Sequence, residues 1–144
     1  MSQPAPRHLF VYGTLRDDPR HDMFHVLARS ATFIGDGRVN AQLFDLGAYP
    51  GIVLSQSPGD VVRGELYRLK PEEVAAVLTL LDDYEGLGPD DPQPHEYKRE
   101  VVRVLLPNGR AISAWAYVLA HKKTSYPRIP AEDYLEWKVA RGSA

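Results

Sequence analysis

His8-Leu9-Phe10-Val11-Tyr12-Gly13-Thr14-Leu15-Arg16 is the stretch around which the rest of the chain can be arranged. Leu9, Phe10 and Val11 form a short apolar run of strand formers that stops at a glycine. Gly13 accepts backbone angles closed to other residues, and without a side chain it lets a ligand approach the main chain. Two readings stand at this point. The strand simply ends in a turn, or the N–H groups of Gly13, Thr14 and Leu15 converge as a small anion-binding nest.

Working outward, the 144 residues suit one domain, with a core that needs no staples. A single domain over residues 1–144 is therefore expected, with residues 1–6 as a loose leader. A net charge of -2 gives no electrostatic reason to expect nucleic acid or an anionic membrane as partner. The absence of cysteine excludes a disulfide frame, a thiolate nucleophile and a cysteine metal site. No apolar run is long enough to span a bilayer, and Met1 to Arg7 lacks the apolar segment of a signal peptide. The expected location is the cytoplasm.

In chain order, a first strand is predicted over Arg7 to Tyr12, then a short helix begun by Pro19 with Met23, Phe24 and Leu27 near one face. His21 and His25 have the spacing of a metal pair, but no third ligand or HExxH glutamate accompanies them. Ala31 to Leu54 reads as extended chain broken at Gly35-Asp36-Gly37 and again at Gly47-Ala48-Tyr49-Pro50-Gly51. Near the end of this strand, apolar residues on both alternating sets predict cover on both faces. Ser57-Pro58-Gly59-Asp60 is a turn and Val61 to Leu69 a strand in which Gly64 marks a bulge or a close contact. A helix starts at Pro71, buries Val74, Val77, Leu78 and Leu81, and stops near Asp82-Asp83. Gly88 to Pro94 is a polar, proline-rich loop. Val101 to Leu106 and Ala111 to Leu119 are the arms of a hairpin turning at Asn108-Gly109. A last helix over Pro130 to Ala140 carries Tyr134 and Trp137 on one side.

Few residues carry chemistry. There is no Gly-rich phosphate loop, dinucleotide fingerprint or G-x-S-x-G elbow. What remains is Glu85, just past the end of a helix whose negative pole would raise its pKa. A carboxylate so raised suits a general base; the alternative for Glu85 is a solvated loop residue.

Five short motifs occur in one order: Val11-Tyr12-Gly13-Thr14-Leu15-Arg16, Leu43 to Gly51, Gly64-Glu65-Leu66-Tyr67, Leu81-Asp82-Asp83-Tyr84-Glu85-Gly86 and Tyr97-Lys98-Arg99. The series resembles the gamma-glutamylcyclotransferase-like family, which includes the AIG2-like proteins and the butirosin-pathway cyclotransferase. The resemblance implies an α+β fold, a small mixed β-barrel with short helices packed outside it. It implies a cytoplasmic transferase or lyase-type enzyme that cyclises a gamma-glutamyl amide to 5-oxoproline and releases an amine or amino acid. By the same resemblance Glu85 is the catalytic acid/base. Tyr12, Gly13, Thr14 and Leu15 are the substrate-binding loop, and Tyr49, Pro50 and Tyr97 stand near the cavity. No metal and no organic cofactor is implied, and the partner is a small gamma-glutamyl molecule.

The chain departs from many relatives at Asp17-Asp18-Pro19-Arg20-His21 and in the length of the loop Leu87 to His95. Both border the expected pocket, so they bear on the leaving group more than on the reaction. Two other classes of function compete with an enzyme. One is a non-catalytic small-molecule-binding domain of the same fold, against which Glu85 and the uninterrupted Tyr-Gly-Thr-Leu loop speak. The other is a small barrel stacking nucleic-acid bases on its tyrosines, which the negative charge and lack of a basic run disfavour.

Overall fold

The computed structural model describes residues 5–13, 22–47, 49–87, 95–121 and 126–142. Strand β1 (His8–Val11) is the shortest described strand and the most central, with Leu9, Phe10 and Val11 all buried. A strand covered on both faces needs an apolar residue at every position, and this run supplies one. It lies antiparallel to β4 (Val61–Leu69) and parallel to β6 (Ala111–Leu119). With β2 (Ala31–Asp45), β3 (Pro50–Leu54) and β5 (Tyr97–Leu105), the sheet order is β3-β2-β4-β1-β6-β5. A pairing of Arg38 with Leu105 joins β2 to β5. It closes β2, β4, β1, β6 and β5 into a mixed barrel, and β3 extends the sheet beyond it, paired to the far end of β2.

Alternation along β1 divides the core in two. Phe10 and Tyr12 join a cluster drawn from every barrel strand, including Val39, Leu66, Val104 and Val118. This is the barrel interior, and Ile129 and Tyr134 add to it. Leu9 and Val11 face the other way, against Leu27 of helix α1 (Asp22–Ser30) and Val77, Leu78 and Leu81 of helix α2 (Val74–Tyr84). Each such side chain contributes about 1.5–3 kcal/mol on full burial. Leu43 and Phe44 are both buried, one in each cluster, so the end of β2 is covered on both faces as its sequence predicts. Helix α3 (Tyr134–Gly142) presents Tyr134 and Trp137 to the barrel, their rings 6.0 Å apart.

Several boundaries differ from the sequence-based expectation. Gly35-Asp36-Gly37 is not a break: β2 runs through it with a register shift between Phe33 and Gly35 that bends the strand. Pro71 opens a 3-10 turn (Pro71–Glu73) before α2, which continues to Tyr84. Strand β5 starts at Tyr97 rather than Val101, and α3 starts at Tyr134 rather than Pro130. Of the expected leader, residues 1–4 lie outside the described residues, and the Pro6 carbonyl accepts a hydrogen bond from Trp115 Nε1 at 3.0 Å. Gly64 is a close contact, because a Cβ there would collide with the Val11 carbonyl oxygen and the Phe10 ring. The start of the first helix at Pro19, the side chains of Met23 and Phe24, and the loop Gly88 to Pro94 lie outside the described residues.

Candidate active site

Glu85 is held by the way α2 ends. Its N–H donates to the Leu81 carbonyl at 2.8 Å, that of Gly86 to Asp83 at 3.2 Å and that of Leu87 to Asp82 at 2.8 Å. Gly86 has φ of 80°, and Leu87 packs into the outer core. This is a Schellman motif, in which a left-handed glycine follows the helix cap and an apolar residue closes over it. The Tyr-Glu-Gly sequence is therefore a helix stop that fixes Glu85 at the cap.

Around Glu85 stand residues from four other segments. Its charge acts on Tyr12 at the end of β1, Tyr49 before β3, Tyr97 at the start of β5 and Tyr117 near the end of β6. These residues are tied to one another. Tyr12 donates its hydroxyl to the Tyr117 carbonyl at 2.6 Å, and Tyr97 donates to the Pro50 carbonyl at 2.5 Å. The rings of Tyr49 and Tyr97 are 6.1 Å apart. Gly13 abuts the same wall: a Cβ on it would sit 3.1 Å from Pro50 Cγ.

The electrostatics follow from this enclosure. Burial pushes the Glu85 carboxyl up from 4.5 to about 7, and the neighbouring Glu96 carboxylate adds to the shift. Burial is thus the leading cause, rather than the helix pole, and Glu85 is part-buried rather than a solvated loop residue. Burial also pushes the Tyr12, Tyr97 and Tyr117 hydroxyls far up, with Glu85 or Asp82 adding to each. Tyr49, whose hydroxyl donates to Glu96 Oε1 at 2.6 Å, is pushed up to about 12 by that bond first and by burial second. The site holds one carboxyl that titrates near neutrality among hydroxyls that stay protonated.

Of the residues singled out from sequence, Tyr12, Gly13, Tyr49, Pro50, Tyr97 and Glu85 are brought to one end of the barrel. Thr14, Leu15 and His21 lie outside the described residues. Among the described residues no cluster of three or more His, Asp or Glu could hold a metal ion, and no helix is long and apolar enough to cross a membrane. Glu96 and Tyr117 were not foreseen. Glu96 had a signal in its place beside Tyr97; Tyr117 reads from sequence only as one more residue of an apolar strand.

Residues 9–136 match the family model described as Gamma-glutamyl cyclotransferase, AIG2-like. The chain is 33% identical over 130 residues to the gamma-glutamylcyclotransferase family protein YtfP of Escherichia coli K12, covering 89% of this chain and 96% of YtfP. In structure it is similar to an AIG2-like protein of Mus musculus, with a TM-score of 0.66 and 26% identity over 89% of this chain and 87% of that one. It is also similar to YkqA of Bacillus subtilis, with a TM-score of 0.69 and 25% identity over 97% of this chain; it spans 44% of the YkqA length. With its barrel, its Tyr-Glu-Gly helix stop and this match over most of its length, the chain belongs to the AIG2-like gamma-glutamyl cyclotransferase family.

Proposed function

We propose that the chain is an enzyme that closes a gamma-glutamyl amide into 5-oxoproline and releases the attached amine or amino acid. The observation that carries this reading is Glu85: a part-buried carboxyl raised to about 7, whose charge acts on Tyr12, the residue just past the end of β1, and on Tyr97. Nucleophile and electrophile reside in one substrate, so holding its folded conformer supplies the proximity that an enzyme nucleophile would otherwise provide.

The substrate's α-ammonium gives one proton to the Glu85 carboxylate. The freed nitrogen attacks the γ-carbonyl carbon, forming the ring C–N bond, and the old amide C–N bond breaks as its nitrogen receives that proton from Glu85. The ring nitrogen's second surplus proton follows by way of Glu85, so the lactam keeps one N–H and the amine departs as an ammonium. A group with a pKa near the working pH can perform both transfers. The N–H groups of Gly13, Thr14 and Leu15 bind the α-carboxylate or the developing oxyanion. Tyr12 and Tyr97 have their hydroxyls committed to backbone carbonyls, so with Tyr49 and Pro50 they serve as rigid walls around the substrate. The reaction needs no metal or organic cofactor.

Incubation with a panel of gamma-glutamyl amino acids, gamma-glutamyl amines and glutathione, read by mass spectrometry, tests this. Release of 5-oxoproline from at least one member is expected. A wholly silent panel overturns the reading and leaves a ligand-binding domain of the same fold.

A further inference from the structure

On the outer face of the barrel, one turn before Glu85, Asp82 is gripped by two residues through three hydrogen bonds. Arg99 Nε donates to Asp82 Oδ1 at 2.9 Å and Arg99 Nη2 to Oδ2 at 3.2 Å, a two-pronged guanidinium–carboxylate contact. The Tyr117 hydroxyl donates to Oδ1 at 2.7 Å. Arg99 and Tyr117 are directly paired across β5 and β6, so both project from the same face of the ladder toward α2. Arg99 also lies over the Trp115 ring, 4.5 Å from its centre, and Trp115 is anchored to the Pro6 carbonyl. Each charged partner is about one quarter exposed, so the pair is shielded from water far better than an open surface bridge.

This arrangement joins two tasks. Asp82 is also the carbonyl that receives the Leu87 N–H in the helix stop, so gripping its side chain pins the turn on which Glu85 is carried. Tyr117 meanwhile offers its own carbonyl to the Tyr12 hydroxyl, so the same residue holds α2 by its side chain and β1 by its backbone.

We propose that Arg99 and Asp82 form a positioning pair for Glu85: Arg99 fixes the last turn of α2 through Asp82, and so keeps the Glu85 carboxyl in its enclosed place. The proposal rests on the reading of Glu85 as the base, but its structural consequence can be tested without turnover. The other groups facing Glu85 are Tyr12 from β1, Tyr49 from the segment before β3, Glu96 and Tyr97 from the start of β5, and Tyr117 from β6. None of them changes in the variants below.

The test is a carboxyl NMR titration of Glu85, assigned by loss of its signal in Glu85→Gln, in wild type, Arg99→Met and Asp82→Asn. A loosened turn lets water reach the carboxyl, so the Glu85 pKa falls toward its ordinary value by about half a unit or more in both Arg99→Met and Asp82→Asn. A pair that only stabilises the fold lowers the melting temperature and leaves the titration of the folded protein where it was, and an unmoved titration in both variants overturns the proposal. Where 5-oxoproline release is measurable, Arg99→Met lowers kcat about 10–100-fold with little change in KM. Arg99→Lys, which keeps the charge without the planar fork, moves the titration less and loses less kcat. Should Arg99→Met fail to fold, Asp82→Asn decides the matter: an unmoved titration sinks the pair. A silent substrate panel with the titration lowered in both variants would instead reject the enzymatic reading and keep the pair.

Discussion

The Tyr12 hydroxyl donates to the Tyr117 carbonyl at 2.6 Å across the two parallel strands β1 and β6. Each strand ends near this bond, beyond the single register pair Leu9–Trp115. The bond therefore sets where the chain leaves the barrel, one residue before Gly13. Tyr12 is buried, with only 6% of its surface exposed, and the Ile52 backbone N–H is a second neighbour of its oxygen.

Tyr12→Phe keeps the ring in the barrel interior and strands the Tyr117 carbonyl without its donor. A buried acceptor left unpaired costs about 1–3 kcal/mol. Urea denaturation should show that loss with an unchanged m-value. A variant as stable as wild type would mean that the bond contributes nothing net.

Gly86→Ala tests the helix stop. At φ of 80° an L side chain is strained, and open space around the position offers no new contact in return. A stability loss of about 1–2 kcal/mol is expected. Because Glu85 is the preceding residue, 5-oxoproline release should fall as well, and by more than the unfolded fraction explains. Loss of stability with full specific activity would show that the cap does not set the position of Glu85.

Single elements were legible in the sequence because their signals are local, whereas the barrel they build was implied only by the resemblance of five ordered motifs to a known family. The apolar run at Leu9 to Val11, the Asn108-Gly109 turn and the Val77, Leu78, Leu81 stripe each specify an element by themselves. The bend through Gly35 and Gly37 was not legible, since two glycines three residues from an apolar strand read equally as a turn or a bulge. At the site, Glu85 could be found from the Tyr-Glu-Gly motif, yet the cause of its raised pKa could not. Burial and the approach of Glu96 are tertiary facts, made by β5 returning beside α2. Nor could the sequence say that Tyr12 and Tyr97 spend their hydroxyls on Tyr117 and Pro50, because a tyrosine's partner depends on which backbone carbonyl the fold brings to it.

Glu85→Gln keeps size and reach but cannot take the substrate proton. Turnover should fall by about 10²–10⁴, the usual worth of general-base catalysis. Glu65→Gln is the control: Glu65 on β4 is paired with Val11 of β1 and accepts from the Tyr67 hydroxyl at 3.1 Å, a structural setting, so its loss should leave turnover largely intact. Near-full release by Glu85→Gln would remove Glu85 as the base.

In the wild type, kcat/KM should rise with pH through about 7 as Glu85 ionises. Glu96→Gln removes the second cause of the raised pKa and leaves burial, so the limb should move to lower pH without returning to 4.5. An unmoved limb would show that Glu96 does not act on the base.

The same carboxyl makes a prediction about stability, and its sign is opposite to that of a salt-bridged acid. A pKa raised from 4.5 to about 7 means that the folded state binds the proton more tightly than the unfolded state. Below pH 4.5 both states are protonated, and the favourable contribution is fully present. Between 4.5 and about 7 the unfolded chain ionises while the folded one does not, so stability falls as pH rises. Above about 7 the loss is complete, on the order of 1–3 kcal/mol for a part-buried group. Asp60 acts in the other direction and in another window. Held down at about 2 by bonds from Ser55, Gln42 and Arg128, it contributes stability above 3.8 that disappears as pH falls toward 2. The two effects do not overlap, so the difference between Glu85→Gln and wild type isolates Glu85. Melting temperatures of the two proteins should differ least near pH 4.5, and the variant should gain steadily on wild type up to about pH 7, then hold a constant lead. A difference that stays flat from pH 4.5 to 8 would mean that the Glu85 carboxyl is not enclosed in the folded protein, and the case for it as a base poised near neutrality would go with it.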